Sequence, residues 1–174
     1  MNTEKISTKK IAINFGLAIA AYNVIVGLML YFLDMHYQNN TTVSLINLAV
    51  IIIVIIYGII YFKKSNEGYI QLSEALKAGL GMALISGIVT ALYSIIMMNY
   101  IDPDFLDKSM EFQKEALLSK NPEITVEDAD KIFDAQRKFT GPFSISAFII
   151  IFNLIIGFIV SLIGGLILKK SRPE

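Results

Sequence analysis

Apolar residues run without a charged interruption through four stretches of this chain: Ile11 to Leu33, Val43 to Phe62, Ala78 to Ile101 and Phe143 to Leu168. An α-helix rises 1.5 Å per residue, so about 20 such residues cross a hydrocarbon core about 30 Å thick. A soluble core helix of that length would carry polar side chains on its outer face. The run Ile51-Ile52-Ile53-Val54-Ile55-Ile56 carries none. In lipid the backbone must close its hydrogen bonds internally, which outweighs the weak helix propensity of β-branched residues. The pattern predicts an all-α integral membrane protein: one domain over residues 1–174, with four transmembrane helices in a bundle.

The stretch from Asp102 to Pro142 reads differently. Asp102-Pro103 has the form of a helix start, aspartate capping and proline in the first turn, and a helix is expected to about Ser119. Asn121-Pro122 breaks it. Thr125-Val126-Glu127-Asp128 resembles a capping box opening a second helix to about Phe139, and Thr140-Gly141-Pro142 leads into the fourth span. The expected result is a helical hairpin between spans three and four. Before span three, Gly68 to Lys77 has an amphipathic pattern with Ser73 as a candidate N-cap and Glu74 in the first turn, expected to lie along the membrane interface.

Small residues mark where helices can approach closely in lipid. Span three has Gly79, Ala83, Gly87 and Ala91 at every fourth position; span four has Asn153, Gly157, Ser161 and Gly165; span one has Gly16, Ala20, Asn23 and Gly27. Span two has only Asn47 and Gly58 and is expected to be the most lipid-exposed. Spans one, three and four are expected to make the tight contacts. The intramembrane Asn14, Asn23, Asn47, Thr90 and Asn153 are read as interhelical hydrogen-bonding groups.

Charge orients the bundle. The net charge is zero, but Lys5, Lys9 and Lys10 precede span one, Lys63, Lys64 and Lys77 lie between spans two and three, and Lys169, Lys170 and Arg172 follow span four. The segment Asp34 to Thr42 has no Lys or Arg, and Asp102 to Pro142 has six basic and ten acidic residues. The positive-inside rule places both termini in the cytoplasm and the hairpin outside. Lys5, Lys9 and Lys10 resemble a signal-peptide n-region, but the apolar stretch after them is too long and lacks a small-residue cleavage site; it is read as a retained helix.

Composition narrows the chemistry. With 174 residues, 55% hydrophobic and a mean hydropathy of +0.60, little chain remains for a separate soluble domain. The absence of cysteine excludes disulfides, zinc–thiolate sites and thiol catalysis. No nucleophile–base set, phosphate-binding glycine loop or dinucleotide fingerprint is present. The basic residues flank membrane spans and give no support for nucleic-acid binding. The acidic groups Asp102/Asp104/Asp107 and Glu127/Asp128/Asp130 lack Ca²⁺-loop spacing and are read as capping and solvated residues. His36, the single histidine, is read as an ordinary surface-loop residue. No catalytic, metal or cofactor site is expected.

The segment Tyr61 to Phe105 combines a basic flank (Lys63, Lys64), Gly68-Tyr69-Ile70, Ala75-Leu76-Lys77-Ala78-Gly79-Leu80, a membrane helix and Tyr100-Ile101-Asp102-Pro103-Asp104-Phe105. With the acidic loop and a final Gly-rich helix ending Lys169-Lys170, the chain resembles the bacterial family called domain of unknown function 4199. That resemblance implies a four-helix inner-membrane protein and carries over no activity, ligand or catalytic residue. The expected role is a non-enzymatic structural or accessory envelope component, with the lipid bilayer and a homo-oligomeric or membrane-protein partner as its contacts. The alternative is a small oligomeric transporter or channel for a small molecule or lipid. Against proton-coupled transport stands the lack of any ionisable carboxylate, lysine, arginine or histidine within the spans.

Overall fold

A computed structural model describes residues 6–172; Lys5 lies outside the described residues. The four apolar stretches form α1 (Thr8–Phe32), α2 (Thr41–Ser65), α3 (Leu72–Ile96) and, after two shorter helices, α6 (Pro142–Leu168). All four are long and apolar enough to cross a membrane, α3 being counted with the turn that follows it to Ile101. Between α3 and α6 lie a π-turn (Met97–Ile101), α4 (Phe105–Lys120) and α5 (Val126–Arg137).

α3 is the organising helix. It packs most extensively on α6 and then on α1, using two different faces. Toward α6 the small residues take over: a Cβ added at Gly79 would lie 2.2 Å from the Ser161 Cβ, and one added at Gly157 would lie 2.4 Å from the Ala83 Cβ. Toward α1, a Cβ at Gly16 would meet the Met82 carbonyl at 2.8 Å, and one at Gly81 the Ala12 Cβ at 2.6 Å. Without side chains between them the backbones close to full van der Waals contact, the main source of helix association in lipid. α1 and α6 therefore flank α3 rather than forming an extensive contact with each other. α2 is the least buried of the four spans, and α3 the most.

The two ends of the bundle are built differently. At one end Ile70 and Lys170 exchange backbone hydrogen bonds of 3.1 and 2.9 Å, and Arg172 reaches Asn66 at 3.2 Å and Glu67 at 3.3 Å. The α2–α3 loop and the carboxyl-terminal segment thus sit together. Its reversal uses left-handed backbone at Glu67 and Gly68 (φ 59° and 81°). The α1–α2 loop, the π-turn, α4 and α5 occupy the other end.

Three local expectations are corrected. Ser73 is not the cap of α3; Gln71 is, and its backbone N–H donates to the Glu74 carboxylate at 2.8 Å in a capping box. No separate interfacial helix precedes α3, because Ile70 is held extended against Lys170 and fully buried. Asp102 does not cap α4: that helix starts at Phe105 behind Asp104. The reason lies upstream, where the Asp102 N–H bonds to the Met97 carbonyl at 2.8 Å, five residues back. This π-type closure widens the end of the α3 span and leaves the Asp102 carboxylate free for other partners. The Thr125 hydroxyl does cap α5, accepting from the Asp128 N–H at 3.2 Å.

Candidate functional site

A buried cluster joins segments that sequence separates widely. The Asp102 carboxylate is buried, 6% exposed, where the π-turn meets α4. One of its oxygens accepts from His36 Nε2 at 2.6 Å and the other from Lys108 Nζ at 2.9 Å. The His36 side chain is only 7% exposed, which overturns its reading as an ordinary surface residue. Its ring stacks on Phe105 at 5.6 Å and meets Tyr31 and Tyr37 edge-on at 5.1 and 5.4 Å. One buried carboxylate therefore joins the α1–α2 loop, the end of the α3 span and the first turn of α4.

Burial alone would raise the Asp102 pKa, but the hydrogen bonds and positive charges of Lys108 and His36 outweigh it and hold the group below its ordinary value. Lys108, hydrogen-bonded to Asp102 and near Asp104 and Asp34, is correspondingly raised despite partial desolvation. This is the pattern of a structural anchor: the charge of the acid is already matched by its partners.

α4 and α5 are joined to each other by ion pairs running in antiparallel order. Asp107 meets Arg137, and Lys114 meets Asp130. Glu127 and Asp128 are engaged by Lys131 one turn on. The acidic residues grouped in the sequence are thus shared out among different basic partners. The two-helix cap leaves Val126, Ile132 and, just past α5, Phe139 exposed.

Below the anchor the interior is polar in places. The Tyr22 hydroxyl donates to Asn47 Oδ1 at 2.9 Å, tying α1 to α2, and Asn23 Nδ2 donates to Thr90 Oγ1 at 3.3 Å, tying α1 to α3. Asn14, by contrast, is exposed on α1. Asn153 stays within its own helix, donating Nδ2 to the Ile149 carbonyl at 2.8 Å. That bond fixes the orientation of the amide and leaves Oδ1 as an acceptor. Among the described residues three buried side-chain atoms have no partner: His36 Nδ1, Ser86 Oγ and Asn153 Oδ1. Each such group costs about 1–3 kcal/mol if left unpaired.

Two of the three lie on cavities. Asn153 lines a cavity of about 290 Å³ together with Asn23, Asn47 and Thr90. His36 lines a smaller one of about 190 Å³ directly above it, and the two share Gly27, Leu30, Thr90 and Ile149 as walls. Sequence spacing placed Gly79, Ala83, Gly87, Ala91, Gly157, Ser161 and Gly165 on packing faces. It gave no sign of the His36–Asp102 pair, because the two residues are 66 positions apart and each has an innocuous local setting. No carboxylate, lysine or arginine lines either cavity.

The sequence model of a family described as "Protein of unknown function (DUF4199)" matches residues 14–170. No curated protein and no solved structure matches the chain.

Proposed function

The chain belongs to the DUF4199 family of proteins of unknown function, and from that footing we propose that it is a non-enzymatic accessory component of the bacterial inner membrane. Its working surface is the α4–α5 cap. The observation that carries this reading is the anchor: Asp102 fastens the cap to the bundle through His36 and Lys108, and ion pairs hold its two helices together. A cap fixed in this way loses little entropy when a partner docks on it. Its exposed apolar side chains Val126, Ile132 and Phe139 are the groups such a partner would cover.

The proposed topology puts both termini and the α2–α3 loop in the cytoplasm and the cap outside. It rests on the lysines flanking that loop and the carboxyl-terminal segment, which the Ile70–Lys170 pairing holds at one end of the bundle. Single cysteines at Asn66 and Asn121 are expected to react with a membrane-impermeant maleimide from opposite sides, Asn121 from outside. Reaction of both from one side would overturn the orientation.

The functional test is photocrosslinking in membranes of the native host, with benzoylphenylalanine at Ile132 and, as a control, at Ile53, which is 63% exposed on α2. Ile132 is expected to yield a protein adduct of discrete mass and Ile53 only lipid adducts. Lipid adducts alone from both positions would contradict an accessory role for the cap.

A further inference from the structure

On α2 the cavity lined by Asn153 reaches Ile51, and at the next residue a separate groove begins, about 330 Å³, walled by Ile52, Ile56 and Ile60 from α2 and Ile159, Ile163 and Ile167 from α6. Every side chain named on this lower groove is aliphatic. The upper cavity has Asn23, Asn47, Thr90 and Asn153. The two share no wall residue, but they follow one another along α2 and α6, a polar compartment and then an apolar one, beside the least buried span.

The geometry points to a binding site for a neutral, hydroxyl-bearing long-chain amphiphile, with its head at Asn153 and its chain along the α2–α6 groove. Three observations select that chemistry. First, Asn153 is 8% exposed and its Oδ1 is an unpartnered acceptor, so the head must donate a hydrogen bond; a hydroxyl does, an ether or ester does not. Second, Asn47 and Asn153 lie six and eleven residues inside the starts of α2 and α6, about 9 and 16 Å deep. At that depth a charged headgroup needs a counter-charge, and no carboxylate, lysine or arginine lines the cavity. Third, the tail groove runs from Ile52 to Ile60, about 12 Å of helix, and so takes a chain rather than a compact solute.

The site stands independently of what docks on the cap. It is tested with full-length protein in phosphatidylcholine vesicles containing a hexadecanol that carries a mid-chain diazirine. Labelling is expected to concentrate on the α2 and α6 peptides containing Ile52–Ile60 and Ile159–Ile167. Excess hexadecan-1-ol is expected to suppress it at least about fivefold more than hexadecyl methyl ether at the same mole fraction, the factor expected from one hydrogen bond. Asn153→Leu, close to volume-conserving, is expected to abolish that preference. Equal competition by alcohol and ether in the wild-type protein would mean that the cavity holds only water and the groove only bulk lipid, and would overturn the proposal. The wild-type comparison decides the matter even if the variant fails to fold.

Discussion

Replacing Gly79 by alanine is expected to destabilise the bundle more than any other single-methyl addition in the membrane spans, by about 2–3 kcal/mol. The added carbon would sit 2.2 Å from the Ser161 Cβ and 2.8 Å from its Oγ. A β-carbon cannot swing away, so the α3 and α6 backbones must separate, and the Gly157–Ala83 contact next to it opens with them. Gly58→Ala is the informative contrast. There the new carbon would meet Met82 Sδ at 2.7 Å, but the obstacle is a flexible thioether that can adopt another rotamer, so the cost is expected to stay below about 1 kcal/mol. Gly87→Leu falls between, since its Cβ would lie 3.3 Å from the Ile150 Cα while the rest of the leucine has to find room. Ile53→Leu, on the outward face of α2, is expected to be nearly silent. Thermal unfolding in detergent gives the ranking directly. Equal midpoints for Gly79→Ala and Ile53→Leu would refute the assignment of packing and lipid-facing surfaces.

That ranking also shows which parts of the fold were legible in the sequence. A span announces itself because any charge within it would be costly, so freedom from charge over about 20 residues is a signal carried by composition alone. Small residues four apart in α3 and α6 are legible for a similar reason: only the absence of side chains lets the two helices come so close that an added Cβ at Gly79 or Gly157 would overlap its neighbour. The lysines at α2's end and before α3, with the basic residues at the two chain ends, are likewise the basis of the proposed orientation. What could not be read depends on contacts between distant segments. Asp102-Pro103 looks like a helix cap, and only the five-residue closure to Met97 moves the start of α4 to Phe105 and frees the carboxylate. His36 sits in a short polar loop and becomes buried only because Phe105, Tyr31 and Tyr37 surround it. The Gly68–Lys77 pattern misled for a related reason. Its amphipathicity is real, but the pairing of Ile70 with Lys170 spends those residues on closing the end of the bundle. Sequence periodicity sees one helix at a time, and both the anchor and the cavity lined by Asn153 arise where several meet.

The second large effect is expected at the anchor itself. Asp102→Ala removes the acceptor for His36 Nε2 and Lys108 Nζ together and is expected to cost about 2–4 kcal/mol. The figure sits below the upper range for a severed buried pair because the Lys108 side chain is 43% exposed and can return to water. The His36 ring cannot, since it is enclosed by aromatic neighbours and already carries one unpartnered nitrogen. The loss should therefore fall on the junction: the cap loosens from the bundle, and Lys114 and Lys120 on α4 become open to trypsin while the spans stay assembled. Asp102→Asn, which keeps an acceptor and the volume, is expected to recover part of the protection. Acid should reproduce the effect. Folding holds the Asp102 pKa below its ordinary value, so its stabilisation is present above the unfolded carboxylate pKa of about 3.9 and is lost as pH falls through the lower folded value. In the wild-type protein, cap protection should then hold from neutral pH to about pH 4 and fall below it. Lowering the pH should change Asp102→Ala much less. The exposed pairs Asp107–Arg137 and Lys114–Asp130 titrate as well, but each contributes at most about 1 kcal/mol, and they are common to both proteins. Because trypsin fails in acid and pepsin fails near neutral pH, trypsin follows protection at neutral pH and pepsin, whose cleavage next to Phe112 and Leu117 reports on the same helix, follows it in acid. If Asp102→Ala resisted both proteases as well as the parent, the cap would be held by something other than the His36–Asp102–Lys108 junction, and the accessory role would lose its structural basis.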